Sequence, residues 1–458
     1  MSIARIAWSI AFVASSAGVG IAREEIAKLL PSDYPEGGLG FGRSVGISGG
    51  VIVVGADRDG TIDIGVGAAY VFRRDGDQWI EQGKLLPSDG ALEDQFGRSV
   101  AIDGEVIVVG APQLSTFQGA GYGAAYVFRR NDRGTPHDSA DDTWAEEAKL
   151  TAPNPAGGDG FGLSVAISGD CIVVGKPGYE FSMGAAHVFR RLTAVNWVHE
   201  GALVGSETRP GDAFGNSVSV DADLIAVGSP YDSVVGDRSG SAYVFRADET
   251  TWAQDRRLVP TDAGQRDNFG NAVSIRGDYV VIGAKNTDDA GQTSGSVHFF
   301  SRVSVGSWNR NPRLTALDAG PSAEFGRSVA LSSSVFIVGA PGDNQAGNHS
   351  GAGYLFLRRG DRCSQVDKLV ASDVQPGMWL GSSVSIDGER AVLGSLAGVY
   401  VFAVDGEPAT LSDFARFQNC FQSGEDLALT PCGAFDLDRN GVIDVRDFLL
   451  FRHTFGGP

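Results

Sequence analysis

Residues Phe96–Pro112 read FGRSVAIDGEVIVVGAP, and recognisable copies of this stretch recur along the chain. Further copies begin at Phe41, Phe161, Phe214, Phe269 and Phe325, and a seventh begins with Leu380-Gly381. In every copy the Phe or Leu lies fourteen residues before a glycine, whereas successive copies start 53 to 65 residues apart. A constant core with variable spacing indicates a repeat protein whose connections are free to vary.

Each copy carries the pattern of a β-hairpin. Branched aliphatic residues such as Val100 and Ile102 alternate with small residues such as Ser99 and Ala101. Alternation with period two predicts a strand with one bulky and one close-packing face. A glycine-containing turn follows, and then a continuous apolar run, Val106–Val109, which predicts a strand buried on both sides.

Two more strands are predicted in each unit. The third has an aromatic signature, for example Tyr126-Val127-Phe128, and the fourth has a Trp six residues before a Leu, for example Trp144 and Leu150. His187 and His298 take the Tyr position of the third strand, so we interpret them as packing residues and not as catalytic ones. Four strands per unit is typical of a β-propeller blade.

The count of fourth strands predicts how the ring closes. The seventh unit ends near Ala403 without a fourth strand, while the stretch Glu25–Leu30 precedes the first copy. Lys28–Asp33 also matches Lys84–Asp89, which ends a fourth strand. We therefore predict an all-β fold over residues 23–403, a seven-bladed β-propeller of four-stranded blades closed by the N-terminal strand, which leaves no sheet edge at the seam.

The Phe-Gly and Gly-Ala-Pro copies, such as Phe96-Gly97 with Gly110-Ala111-Pro112, resemble FG-GAP repeats, the units of the seven-bladed propeller of integrin α chains. The resemblance implies an extracellular recognition or adhesion protein. Integrin-type repeats often carry an Asp-rich calcium loop between the first two strands, but here that connection is as short as Asp103-Gly104-Glu105. Such a turn cannot surround a cation with six or more oxygens. The chain thus resembles the bacterial variety of the repeat, without calcium loops.

Residues 1–22 have the pattern of a secretory signal peptide. Arg5 precedes an apolar stretch, Ile6–Val13, and a small-residue segment that ends at Ala22. We expect cleavage after Ala22 or Ala17 and a secreted or cell-surface protein with no later transmembrane segment; a membrane anchor is the alternative. The formal net charge of -19 argues against nucleic acid as a partner.

The C-terminal residues 404–458 are predicted to form a small α-helical calcium-loop domain. Leu411–Phe421 has apolar residues at helical spacing, and Asp436–Asp447 is a twelve-residue cation loop in which Gly441 permits the sharp turn. One Ca²⁺ would be bound by five side chains and one carbonyl: Asp436, Asp438, Asn440, Asp444 and Asp447, with the carbonyl of Val442.

This loop resembles a dockerin repeat more than an EF-hand, because Asp447 stands where an EF-hand has Glu and Phe448-Leu449-Leu450-Phe451 follows. Asp413-Phe414 echoes Asp447-Phe448, but the residues before Asp413 lack loop ligands. The resemblance implies a cohesin-like partner for the tail; sorting or surface attachment is equally compatible with a single loop.

The four cysteines are too few for a disulfide scaffold. Cys420 and Cys432 are close enough in the tail to form one disulfide in an oxidising compartment. We expect Cys171 and Cys363 to be buried thiols.

We therefore expect a non-catalytic recognition or adhesion propeller, a monomer that binds a protein or glycan. The alternative is a secreted polysaccharide-acting hydrolase or scaffold-associated enzyme component whose site is built from propeller loops. Arg276-Gly277-Asp278 resembles an adhesion tripeptide but falls on an inter-strand turn, which accounts for it. The expected binding surface is formed by loops after the Gly-Ala-Pro strands, with exposed aromatic and acidic residues: Asp57, Asp59, Asp63, Tyr122, Tyr179, Phe181, Tyr231, Asp232 and Asp343.

Overall fold

A computed structural model describes residues 25–33, 40–113, 121–132, 142–178, 183–193, 196–233, 235–248 and 251–404. These residues form 28 strands in seven four-stranded antiparallel sheets and no helix. The predicted all-β, seven-bladed propeller is thereby confirmed. The predicted signal peptide and residues 405–458 of the predicted calcium-loop domain lie outside the described residues.

Each of the first six blades consists of four strands in chain order. Blades 1 to 3 are β2 (Phe41–Ser48), β3 (Val51–Ala56), β4 (Ala68–Asp75), β5 (Gln78–Leu85); β6 (Ser99–Asp103), β7 (Val106–Ala111), β8 (Ala124–Asn131), β9 (Thr143–Leu150); and β10 (Ser164–Ser168), β11 (Cys171–Lys176), β12 (Ala185–Thr193), β13 (Asn196–Leu203). Blades 4 to 6 are β14 (Ser217–Asp221), β15 (Leu224–Ser229), β16 (Ser241–Asp248), β17 (Thr251–Leu258); β18 (Phe269–Arg276), β19 (Tyr279–Ala284), β20 (Ser296–Ser304), β21 (Ser307–Arg310); and β22 (Ser328–Leu331), β23 (Val335–Ala340), β24 (Ala352–Arg359), β25 (Arg362–Leu369).

The seventh blade closes the ring. It contains β26 (Ser383–Asp387), β27 (Arg390–Ser395), β28 (Gly398–Ala403) and, as its fourth strand, β1 (Glu25–Leu29) from the start of the described chain. β1 also makes the side-chain contacts of an ordinary fourth strand, because Lys28 pairs with Asp373 at 2.6 Å just as Lys84 pairs with Asp33 at 2.7 Å. The predicted closure by the N-terminal strand is confirmed.

The first strand of each blade is the innermost. β2, β6, β10, β14, β18, β22 and β26 pack against one another in that order, and β26 packs against β2. Seven inner strands in a closed ring surround the central channel that is typical of propellers. Each inner strand begins at or just after its Phe-Gly or Leu-Gly pair, and these N-terminal ends form what we call the mouth of that channel.

The hydrophobic core lies between neighbouring blades. Ile107 and Val109 of β7 are fully buried and pack with Val53 and Val71 of the preceding blade. The ring of Phe96 belongs to the same cluster and meets Tyr126 edge-on, with 5.4 Å between ring centroids. Each blade thus buries its bulky face against the next one, as the alternating pattern predicts.

The glycines of the repeated motif permit the contact between blades. Ser99 Oγ donates a 2.9 Å hydrogen bond to the carbonyl oxygen of Gly162 in the next blade. A Cβ on Gly110 would lie 2.0 Å from that same oxygen, so only glycine fits there. Equivalent serines bond the next blade at six of the seven junctions; at the remaining one Asn271 Nδ2 donates to Gly326 at 3.0 Å.

Candidate functional site

The two faces of the propeller differ in their connections. In blades 1 to 6, long connections run from the second to the third strand and from the fourth strand to the next blade. In blade 1 they are residues 57–67 and 86–98. They lie on one face, which we call the loop face. The opposite face, the turn face, has short turns such as residues 49–50 and 76–77. Side chains that differ between blades are therefore concentrated on the loop face, where binding residues are commonly found.

The sequence placed nine candidate binding residues on this face, and the structure buries four of them. Asp57, Asp59, Asp232 and Asp343 are only 1–3% exposed, so the expectation that they are exposed acids is wrong. Asp63, Tyr122 and Tyr231 are exposed, as expected. Tyr179 and Phe181 lie outside the described residues.

The buried acids belong to polar clusters that hold the loops. The Tyr70 hydroxyl lies 2.7 Å from Asp59 and 2.8 Å from Asp33, and Lys84 Nζ lies 2.7 Å from each carboxylate. Burial alone would raise the pKa of Asp59, but hydrogen bonds from Lys84, Thr61 and Tyr70 outweigh it and leave that pKa lowered. The carboxylate is charged and fully engaged within its own blade.

The same cluster recurs around the ring with small changes. Lys368 pairs with Asp343 at 3.0 Å beneath Tyr354, and Arg257 pairs with Asp232 beside Tyr243. Each of these acids is neutralised by a cation of its own blade, so the cluster holds that blade's loop in place. These acids are therefore structural, and sequence reasoning misread them because a loop position does not reveal its hydrogen-bond partners.

His187 and His298 pack as the sequence predicts. Their rings lie edge-on to Phe161 and Phe269, with centroids 5.5 Å and 5.0 Å apart, and His187 Nδ1 lies 3.0 Å from His199 Nε2. Burial lowers the pKa of both His187 and His298 to about 4, so both rings are neutral at pH 7.

The tripeptide Arg276-Gly277-Asp278 lies on the turn between β18 and β19, as expected. Arg276 pairs with Asp221 at 3.4 Å, and Asp278 pairs with Arg302 at 2.7 Å. The Gly277 N–H also donates to Asp221 at 2.7 Å. Both charged side chains are paired within the propeller, which accounts for them structurally.

The two described cysteines are free thiols. Cys171 is buried, as expected, whereas Cys363 is only partly buried because it lies on an outermost strand, β25. Burial raises the pKa of Cys171 to about 12 and that of Cys363 to about 11, so both remain protonated and unreactive at neutral pH. Cys420 and Cys432 lie outside the described residues.

No group of three His, Cys, Asp or Glu side chains in the described part of the chain is arranged to hold a metal ion. The six predicted calcium ligands lie outside that part: Asp436, Asp438, Asn440, Val442, Asp444 and Asp447. Among the described residues there is also no helix that could cross a bilayer.

The mouth of the channel is built from one tight turn repeated seven times. The residue before each Phe-Gly or Leu-Gly pair has a left-handed backbone with φ between 52° and 69°, and its carbonyl accepts a 2.9–3.2 Å hydrogen bond from the residue after the pair. The left-handed residue is Gly40, Gln95, Gly160, Ala213, Asn268, Glu324 or Trp379. The residue after the pair is Arg43, Arg98, Leu163, Asn216, Asn271, Arg327 or Ser382.

Three of these turns place arginines at the mouth. Arg98 Nη1 and Arg43 Nε lie 3.0 Å and 3.6 Å from the same oxygen of Asp57, and Arg327 Nη1 lies 3.3 Å from Glu324. The three arginine side chains remain 25–37% exposed. Burial and then the charge of Arg98 lower the pKa of Arg43 to about 10, which leaves it charged at pH 7.

The positive charge extends beyond these neighbours. Arg327, two blades away around the ring, also acts to lower the pKa of Arg43. Lys285, in the blade next to Arg327, has its pKa lowered by burial and then by the charge of Arg327. Arg327 therefore acts on a cation to either side of it, Arg43 and Lys285, in a chain whose formal charge is -19.

Trp379 completes this part of the mouth from blade 7. Its ring stacks on His349 with centroids 4.5 Å apart and planes 11° from parallel, and it remains partly exposed. Its φ of 56° lies in the left-handed region, which costs on the order of 1–3 kcal/mol for a residue other than glycine, and Gln95 and Glu324 share this conformation at the equivalent position. Since Gly40 and Ala213 fill the same position elsewhere, the fold does not require tryptophan there.

The sequence analysis did not single out the arginines or Trp379. The sequence signal that could have identified them is the change of the residues on either side of the Phe-Gly pair from blade to blade, while the pair itself recurs. Residues that every blade shares are explained by contacts between blades. Residues that differ between blades are not required by those contacts and are candidates for ligand binding.

Seven four-stranded blades with these interblade contacts define a β-propeller of repeated units. A profile of the FG-GAP repeat matches residues 24–72, 79–128, 144–189, 197–245, 252–300, 308–356 and 363–399. No curated protein matches the chain. Because the repeat profile covers most of the sequence, the chain belongs to the FG-GAP repeat family.

Proposed function

We propose that the chain is a non-catalytic recognition or adhesion propeller that binds a protein or glycan through its loop face. The supporting observation is the division between shared and variable residues. Shared residues such as Ser99 and Gly110 are engaged in contacts between blades. Arg43, Arg98 and Trp379 occupy positions where other blades have Asn, Leu, Gly or Ala, so the blade fold does not require these side chains, and their exposed parts can serve binding.

A non-catalytic role is supported by the state of the buried acids. A general acid at neutral pH needs a raised pKa and a path to substrate. Burial raises the pKa of Asp94, Asp212 and Asp267, but these three residues occupy one repeated position. Each accepts a hydrogen bond of 2.6–2.7 Å from a backbone N–H three residues earlier, which is the role of a turn-stabilising residue.

We also propose that the protein acts outside the cell and is tethered by its tail. FG-GAP repeats are typical of extracellular proteins, and residues 1–22 have the composition of a signal peptide. Residues 404–458 would attach the propeller through a cohesin-like partner or the cell surface, with one Ca²⁺ ordering the loop Asp436–Asp447. The outer edge of each four-stranded blade is a single short strand, which favours a monomer.

Binding arrays of glycans and proteins, probed with the full chain, test this function. We expect saturable binding to a restricted set of ligands that is weakened by substitutions on the loop face and unaffected by Arg276→Asn on the turn face. The same preparation is assayed for release of reducing ends from common polysaccharides. Turnover abolished by a point substitution in one propeller loop would replace the recognition role with the hydrolase alternative.

A further inference from the structure

The loop face concentrates cations in one arc of the channel mouth. Lys285, Arg327, Arg43 and Arg98 belong to blades 5, 6, 1 and 2, and Trp379 belongs to blade 7 between them. Five consecutive blades therefore contribute to the arc. In blades 3 and 4 the equivalent turn positions carry Leu163 and Asn216, and the nearby cation Lys176 is neutralised by Asp159 at 2.6 Å.

The arc carries more positive charge than its own partners neutralise. Asp57 pairs with two arginines, Glu324 pairs with one, and no ion pair within the described residues involves Lys285 Nζ. Four cations and two carboxylates leave an excess of two positive charges. An unneutralised cationic group in a protein of charge -19 attracts anions locally, although salt screens the attraction beyond about 10 Å.

The aromatic member of the arc points to more than a simple anion. Trp379 is held by its stack on His349 and by its backbone, whose N–H donates to the carbonyl of His349 at 3.0 Å. A fixed, partly exposed indole offers a flat apolar surface next to polar groups, as aromatic residues do at binding sites. Guanidinium groups add planar, two-point recognition of carboxylate and sulfate oxygens.

We propose that this arc binds an acidic saccharide, with the sugar ring against Trp379 and its carboxylate or sulfate ester held by Arg327, Arg43 and Arg98. The proposal rests on the proposed recognition function and specifies its ligand. A pyranose has an apolar face that suits an indole and, when it carries uronate or sulfate, an anion that suits guanidinium. An acidic peptide would satisfy the arginines but would not need the exposed flat face of Trp379.

The ring itself supplies substitutions that the turn tolerates. Asn occupies the position of Arg327 in blades 4 and 5, and Ala occupies the position of Trp379 in blade 4. Arg327→Asn and Trp379→Ala are therefore expected to fold, which thermal melting checks. Arg276→Asn is the matched control, because it removes one exposed arginine charge from the turn face.

The test is calorimetric titration of the full chain with four probes: an oligogalacturonate, a sulfated galactan oligosaccharide, a neutral cello-oligosaccharide and poly-glutamate. We expect one or both acidic saccharides to bind. Comparison of the oligogalacturonate with the sulfated galactan shows whether the site prefers a carboxylate or a sulfate ester. Affinity should fall about tenfold or more in Arg327→Asn and in Trp379→Ala and stay unchanged in Arg276→Asn. Higher salt should weaken binding.

Two results would overturn the proposal. The first is the absence of acidic-saccharide binding, or binding equally tight in Arg327→Asn. The second is poly-glutamate binding as tight as the saccharide and indifferent to Trp379→Ala, which would identify a peptide site. Array hits limited to proteins or neutral glycans would refute the acidic saccharide and leave the recognition function standing, whereas no hits at all would count against both.

Discussion

Ser383 Oγ in the seventh blade donates a 2.9 Å hydrogen bond to the carbonyl oxygen of Gly42 in the first blade. This is the same bond that Ser99 makes to Gly162 within the body of the ring. The seam between the ends of the propeller is thus built like its other junctions on the inner side, while β1 pairs with β28 on the outer side. Both contacts join residues that are far apart in the chain.

Removal of residues 23–33 should open the seventh blade. The deletion takes away β1 with its buried Leu29 and leaves β28 as an unpaired edge. Against a chain that begins at Arg23, we expect a melting temperature lower by roughly 5–10 °C and a tendency to self-associate. Differential scanning calorimetry and light scattering measure the two effects. An equally stable monomer would show that β1 does not hold the ring closed.

Gly110→Ala should disrupt one junction between blades. The new Cβ would lie 2.0 Å from the carbonyl oxygen of Gly162, and neither backbone can move without shifting its sheet. We expect destabilisation by at least about 2 kcal/mol. Gly83→Ala in β5 is the control, because its Cβ would meet nothing within 4 Å. Denaturant titration compares them, and similar midpoints for the two variants would contradict the steric account.

The stability of the propeller should decrease as the pH falls from about 6.5 towards 4, in part because of His298. Its folded pKa of about 4 lies below the usual 6.5, so the unfolded chain takes up the proton first and unfolding is favoured in that window. The charged groups that act on His298 are Asp262, Arg310 and Arg313.

His298→Phe should keep the packing on Phe269 and remove this contribution. The loss of unfolding free energy between pH 7 and pH 4.5 should become smaller by about 2 kcal/mol. Thermal or denaturant unfolding at several pH values measures it. Groups such as Asp94 are present in both proteins and cancel from the comparison. Parallel pH profiles for the two proteins would be evidence against a buried neutral imidazole.

Calcium should bind the tail and leave the propeller unchanged. Five carboxylate or amide side chains converge in the loop Asp436–Asp447 only if it closes around Gly441, and without a cation their mutual repulsion opposes closure. Calorimetric titration of the full chain should find about one site. That site should disappear in Asp436→Ala and in a chain that ends at Ala403. Several tight sites in the shortened chain would show that the propeller itself binds calcium.

The blade architecture could be predicted from sequence because each shared residue reports a local constraint. The apolar run Val106–Val109 becomes a buried strand, and the match of Lys28–Asp33 to Lys84–Asp89 locates the closing strand. Because these patterns occur in all seven copies, they are distinguished from chance similarities that occur in one copy only. The signal is strongest where one backbone geometry is imposed on every blade.

The candidate site could not be predicted in the same way. Asp59 and Asp63 look alike in the sequence, yet one is buried under Lys84 and Tyr70 while the other is exposed. Arg43 and Arg327 are 284 positions apart in the chain, and the charge of Arg327 can lower the pKa of Arg43 only because the ring closes. Burial and long-range proximity are properties of the closed ring, which no single repeat encodes.

The place of β28 in the seventh blade determines how the propeller would bear a mechanical load. A pull on the chain after Ala403 reaches β28 first, and β28 is hydrogen-bonded to β27 on one side and to β1 on the other. An edge strand could be peeled away one bond at a time, but extracting this strand requires two ladders to rupture together. Tension applied through the tail is therefore resisted by a clamp that contains the earliest described strand of the chain.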